Sequence, residues 1–129
     1  MQDGKQQKER KTRYEPTNGL PELREALAEK AYRKYGIRYD PDSEVLITVG
    51  ATEAIFIALL ALLNPGEEVL ISDPGFVAYE PCIALSEGVP VSIPLREENH
   101  FKPSVRDVTS LLTPESRVML LNFPNNPTG

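Results

Sequence analysis

The chain has 129 residues, enough for one domain with its own core and too few for most two-domain enzymes. Hydrophobic residues make up 40% and charged residues 26%, the balance of a folded, soluble protein rather than a disordered one. A formal charge of -5 argues against nucleic acid as a main partner, because binding a phosphate backbone requires a basic face.

The chain opens with a polar, basic segment, residues 1–13, in which Lys5, Lys8, Arg10, Lys11 and Arg13 outnumber Asp3 and Glu9. It reads as a solvated tail, with a binding arm as the alternative. It has no apolar core of the kind a signal peptide carries. From Leu20 to Tyr35 apolar residues recur at Leu20, Leu23, Ala26, Leu27, Ala31 and Tyr35, the spacing of a helix with one buried face. Pro21 suits its first turn and Gly36 its end. Glu22 and Glu25 sit near the positive pole of its dipole, and Lys30, Arg33 and Lys34 near the negative one.

Val45 to Val49 is a β-branched run after a turn at Asp40 to Ser43, and it predicts a buried strand ending at Gly50. Thr52 to Leu63 predicts a helix that is apolar nearly all round and therefore sandwiched in the interior. Its apolar run, Ala54 to Leu63, is about half of what a membrane span needs, so no membrane association is expected. Glu68–Ser72 predicts a second strand, Phe76–Ser86 a helix and Val89–Ile93 a third strand. Ser104–Leu112 predicts a helix and Arg117–Leu121 a fourth strand, before the closing run Asn122 to Gly129.

Strands alternating with helices, and strands that are apolar throughout, indicate an α/β domain with a mostly parallel sheet covered on both faces, a three-layer αβα arrangement. Cys82 is the single cysteine and His100 the single histidine, so no disulfide, metal site or Cys/His catalytic pair is expected, and the cytoplasm is the expected location.

In a parallel sheet ligands bind beyond the carboxyl ends of the strands. After the first run stand Gly50, Ala51 and Thr52, small residues leading into a helix whose unpaired amides and dipole make an anion site; equally, Gly50 makes a turn and Thr52 caps the helix. After the second, Pro74 and Gly75 halt the strand and leave Phe76 as a flat apolar surface able to stack on a heteroaromatic ring; equally, Phe76 and Tyr79 face the core together. After the fourth, Asn125 and Asn126 put two carboxamides at the same edge. Asn126, held extended by Pro127, can be aimed with little loss of entropy; equally, the run is an Asn/Pro turn.

From about Tyr14 to Gly129 the chain resembles the class I/II aminotransferases of pyridoxal-phosphate fold type I, the aspartate aminotransferase superfamily. The resemblance rests on four ordered blocks: Tyr14-Glu15-Pro16-Thr17-Asn18-Gly19-Leu20-Pro21-Glu22-Leu23-Arg24, ITVGATEAI, NPGEEVLISDPGFVAYEP and NFPNNPTG. It implies that residues 14–129 are an incomplete large domain of such an enzyme. It implies further that Gly50, Ala51 and Thr52 bind the phosphate of pyridoxal 5'-phosphate, Phe76 stacks on its ring and Asn126 hydrogen-bonds its phenolic oxygen. Tyr14 would reach the phosphate held by a neighbouring subunit, which makes a homodimer the expected working unit.

The resemblance implies transfer of an amino group between an amino acid and a 2-oxo acid. None of Lys5, Lys8, Lys11, Lys30, Lys34 and Lys102 lies in the family's Ser-x-x-Lys type of segment, so the Schiff-base lysine is expected outside these residues. No catalytic residue is then assigned, and the chain alone is expected to be inactive and prone to self-association. Met1 to Thr12 also departs from the family's glycine region. The same front end would serve a C–S β-lyase, an aminocyclopropane-carboxylate-synthase-like enzyme or a non-catalytic ligand-binding domain.

Overall fold

The computed structural model describes residues 16–129, and these fall into two compact units that divide between Thr48 and Val49. Tyr14 and the basic run before it lie outside the described residues.

The first unit is built on α1, Pro21–Tyr35. Pro21 occupies its first turn, where a missing N–H costs nothing, and Gly36 ends it in the left-handed conformation with its amide on Tyr32 O at 2.9 Å. The helix runs as its periodicity predicts, but its apolar stripe is only partly covered. Leu23, Leu27 and Tyr35 stay exposed, while Leu27, Ala28 and Ala31 share a cleft with Tyr39, Val45 and Leu46.

The residue buried on α1 is Arg24, at 4% exposure. Its Nε donates to Gly19 O at 3.2 Å, and its guanidinium reaches Asp42 Oδ1 at 3.0 Å and the Pro41 carbonyl. Thus one side chain ties the start of the helix to the turn at residues 40–43. Inside that turn Ser43 Oγ and the Asp42 amide donate to the Asp40 carboxylate, which holds its pKa below the usual range.

Val45 to Val49 does not form the predicted strand. The segment is tied back by the Ile47 amide on Asn18 O at 3.1 Å, and no strand among the described residues pairs with it. A β-branched run becomes a strand only where a partner ladder is within reach, so its composition alone did not decide the outcome.

The second unit is the α/β part: α2 (Gly50–Leu62), β1 (Glu68–Asp73), α3 (Tyr79–Leu85), β2 (Val89–Pro94), a short 3-10 turn at Glu97–Asn99, α4 (Val105–Leu111) and β3 (Ser116–Met119). The strands form a parallel sheet in the order β2-β1-β3, with Leu70 opposite Val91 on one side and Met119 on the other. A bulge between Glu68 and Val69 offsets the β3 pairing.

Alternation along the strands separates two apolar layers. Val69 and Ile71 of β1 join Leu59 of α2 and Tyr79, Cys82 and Ile83 of α3 in one buried cluster, against which Val118 and Leu120 pack. Leu70 and Met119 face the other way, into a cleft shared with Val108 of α4 and with Leu112. Helices therefore lie on both faces, and the three-layer α/β architecture with a parallel sheet is present.

Two helices differ from their predicted form. α2 buries Leu59 and packs Ile55, Phe56 and Leu63 against the sheet, but leaves Ile57, Leu60 and Leu62 exposed, so it is covered on one side rather than sandwiched. α3 starts at Tyr79 rather than Phe76, because Pro74 and Gly75 leave residues 76–78 to make a turn closed by the Tyr79 amide on Phe76 O at 3.0 Å.

Candidate functional site

Parallel strands bring their carboxyl ends to one edge, so the turn after β1 and the turn after β3 are neighbours by construction. The first is Asp73-Pro74-Gly75-Phe76. Gly75 is required by close approach: a Cβ there would stand 2.2 Å from the Ser72 carbonyl oxygen. That tightness turns the chain sharply off the strand and brings Phe76 to its rim.

Phe76 faces the core together with Tyr79, as one of its two readings has it, and also keeps an open side. Its ring packs against the core cluster and meets Tyr79 edge-to-face, with centroids 5.5 Å apart and planes at 76°. It also lines an open cleft of ≈ 320 Å³ with Ile71, Ser72, Asp73, Gly75, Val77 and Glu80. The edge of Tyr79 against the ring restrains its orientation.

The second turn, Asn122 to Gly129, is closed by the Gly129 amide on Asn125 O at 2.6 Å. Asn126 is exposed on it. Asn125, by contrast, is buried at 4% exposure and its Nδ2 donates to Pro74 O at 3.1 Å and to Thr128 Oγ1 at 2.8 Å. The carboxamide singled out from the sequence thus stays open at the surface, while its neighbour joins the two strand-end turns. The sequence offered two adjacent asparagines and no periodicity to tell which one turns inward.

The third element is the start of α2. Gly50 takes a left-handed φ of +84°, which a side chain would resist, and turns the chain into the helix. Ala51 and Thr52 follow as exposed first-turn residues whose amides have no helical carbonyl four residues back. Glu53 accepts a hydrogen bond from the Val49 amide and so restrains the turn from the other side. Ile55 and Phe56, one turn into α2, pack against the same cluster as Phe76, which ties this helix start to the scaffold that carries the aromatic ring.

Ser72 sits at the end of β1 with a buried hydroxyl that has no protein partner, and the Asn125 Oδ1 is likewise open. Cys82, a buried core residue of α3, and His100, exposed on a left-handed turn, are both outside this edge. Among the described residues no group of His, Cys, Asp and Glu could hold a metal, and no helix is long and apolar enough to cross a membrane.

The model of the family described as aminotransferase class I and II matches residues 1–129. The aromatic-amino-acid aminotransferase 2 of Thermococcus litoralis is 46% identical over 118 residues, 92% of this chain and 30% of the relative. The aspartate aminotransferase of Pyrococcus abyssi is 45% identical over the same shares. The crystal structure of the aromatic aminotransferase from Pyrococcus horikoshii OT3 superposes with a TM-score of 0.86 at 43% identity, over 90% of this chain and 31% of that one. The chain therefore spans about 30% of the length of the relatives it matches. A match that runs from the first residue to the last, with the same fold at this level of identity, places the chain in the class I and II aminotransferases, a pyridoxal-phosphate-dependent family.

Proposed function

We propose that these residues form the cofactor cradle of an aminotransferase that moves an amino group between an amino acid and a 2-oxo acid. In such an enzyme pyridoxal 5'-phosphate supplies the electron sink and the protein supplies binding, orientation and electrostatics. The exposed first turn of α2, with Gly50, Ala51 and Thr52, takes the phosphate through backbone amides and the Thr52 hydroxyl. Phe76 gives its ring face to the pyridine, and Asn126 donates from its carboxamide to the phenolic oxygen.

The observation that carries this reading is the hydrogen bond of Asn125 Nδ2 to Pro74 O, which brings the Phe76 turn and the Asn126 turn to one edge of the sheet. Two strand-end turns, together with the start of α2, would then address one ligand with an anionic group, a flat heteroaromatic ring and a polar ring substituent.

The described lysines are Lys30 and Lys34 on α1 and Lys102 in the loop before α4, none of them at a strand end. The 129 residues alone are therefore proposed to bind the cofactor without catalysing transfer. Tyr14 completes the phosphate site of a second subunit, and the working unit is a cytoplasmic homodimer.

Pyridoxamine 5'-phosphate tests the cradle, because it needs no lysine to bind. Titration followed by its fluorescence is expected to show saturable binding that Phe76→Ala and Asn126→Ala each weaken about tenfold, the scale of a stacking or a polar contact. Binding that neither substitution changes would remove the reading. Transamination above that of free cofactor would overturn the claim that these residues do not catalyse alone.

A further inference from the structure

Asn125 has a geometry that its role as a turn residue does not require. Gly129 already closes the turn through the Asn125 carbonyl, and Thr128 Oγ1 adds a second local bond. The contact to Pro74 O spans 51 positions of sequence and joins β1 to β3 beyond the end of their ladder.

The orientation of the carboxamide follows from its partners. Pro74 O is only an acceptor, so the group facing it must be Nδ2, and the other N–H of Nδ2 is directed to Thr128 Oγ1. Both donors are then used. Oδ1 is buried without a protein partner. Burying the oxygen without a partner is unfavourable, so the two contacts made by Nδ2 are what hold the carboxamide inward.

The strap joins two short arms. Pro74 lies two residues before Phe76, and Asn125 directly before Asn126. Each arm is stiff, the first because Gly75 is folded against the Ser72 carbonyl, the second because of the two local hydrogen bonds. The arms are rooted in paired strands, β1 and β3, and joined again at Asn125, so they are held at two places and their separation and relative tilt are restrained.

We propose that Asn125 is a positioning residue that fixes the separation and tilt between the Phe76 ring and the Asn126 carboxamide. This rests on the cofactor-cradle reading. In this role Asn125 is assigned no contact with the cofactor and acts through its neighbours on both sides. Removing its side chain keeps the Gly129 amide bond that closes the second turn but breaks the bonds to Pro74 and Thr128, and so lets the two arms drift apart. A ligand that must engage ring face and carboxamide together then loses affinity, while a ligand held only at the start of α2 does not.

The test compares two probes on the 129-residue chain, pyridoxamine 5'-phosphate and inorganic phosphate. Asn125→Asp keeps the volume and replaces the NH2 group, with both its donors, by a carboxylate oxygen, and Asn125→Ala removes the group. Both are expected to weaken pyridoxamine 5'-phosphate about tenfold while inorganic phosphate binds within about twofold of the unsubstituted chain. In an Asn126→Ala background the same substitutions are expected to have a much smaller effect, because there is no carboxamide left to place.

Unchanged pyridoxamine 5'-phosphate binding by the Asn125 variants overturns the proposal and leaves the cradle standing. A parallel loss of both probes with a lowered melting temperature, or failure of both variants to fold, also overturns it in favour of a purely structural role. Failure of the unsubstituted chain to bind pyridoxamine 5'-phosphate removes the cradle and this inference together.

Discussion

Arg24 shows how far a single side chain can organise a unit with little apolar core. Its stem is covered and its head group meets three oxygens, two of them backbone carbonyls of Gly19 and Pro41. Asp42, the charged partner, is 83% exposed, so the ion pair as such is screened and weak. The carbonyl bonds are where the stabilisation resides. Arg24→Met, which keeps the stem, is expected to destabilise the first unit by about 2–3 kcal/mol, the cost of hydrogen bonds to a charged donor, whereas Asp42→Asn should cost under about 1 kcal/mol. Urea titration followed by circular dichroism checks the ranking, and equal effects of the two substitutions would refute it. Arg24→Lys should not rescue, because an ammonium cannot reproduce the planar fork. None of this was readable in advance: an arginine on an amphipathic helix looks like part of the solvated face, and its acceptors come from a turn 17 residues away.

Elements were legible where their signals are local. Pro21 and Gly36 bound α1, and Ser104 caps α4 by accepting from the Asp107 amide at 3.0 Å. The segment Val45 to Val49 was not legible, because its composition matches that of β1 while its pairing depends on residues remote in sequence. The covered side of α2 was equally hidden, since a helix that is apolar all round does not announce which face will meet the sheet. For the candidate site, sequence supplied the strand-end residues and the structure supplied the strap between them. At the start of α4 the local signals also carry a pH dependence. The Arg96 guanidinium, 2.7 Å away, and the Ser104 hydroxyl hold the Asp107 carboxyl below its usual range. A depressed folded-state pKa means stabilisation that is present above the unfolded value, about 3.9, and lost as pH falls through the folded value. The stability gap between the unsubstituted chain and Asp107→Asn should therefore be full near neutrality and close as pH drops below about 4. Urea midpoints across pH measure it, and a gap independent of pH would contradict the assignment.

At the scale of the whole molecule the second unit has more apolar surface than its own layers cover. β2 and β3 are edge strands, each with one side unpaired among the described residues, and α2 exposes Ile57, Leu60 and Leu62 in addition to Val49 just before it. Edges and apolar patches of this kind favour association. Opposing it is a net charge of only -5, a weak repulsion that salt screens within about 8 Å at physiological strength. The two terms respond oppositely to sulfate, which screens charge and strengthens apolar burial. The chain is thus expected to self-associate in a concentration-dependent way, and more so as sulfate is added. Light scattering after size exclusion reads the mass directly. Leu60→Lys places a charge on the uncovered side of α2 at a position already 52% exposed, so it should reduce association with little effect on folding. A single monomeric species at every concentration, with a cooperative melt and no response to sulfate, would refute the expectation, because the exposed apolar side of α2 would then not drive association.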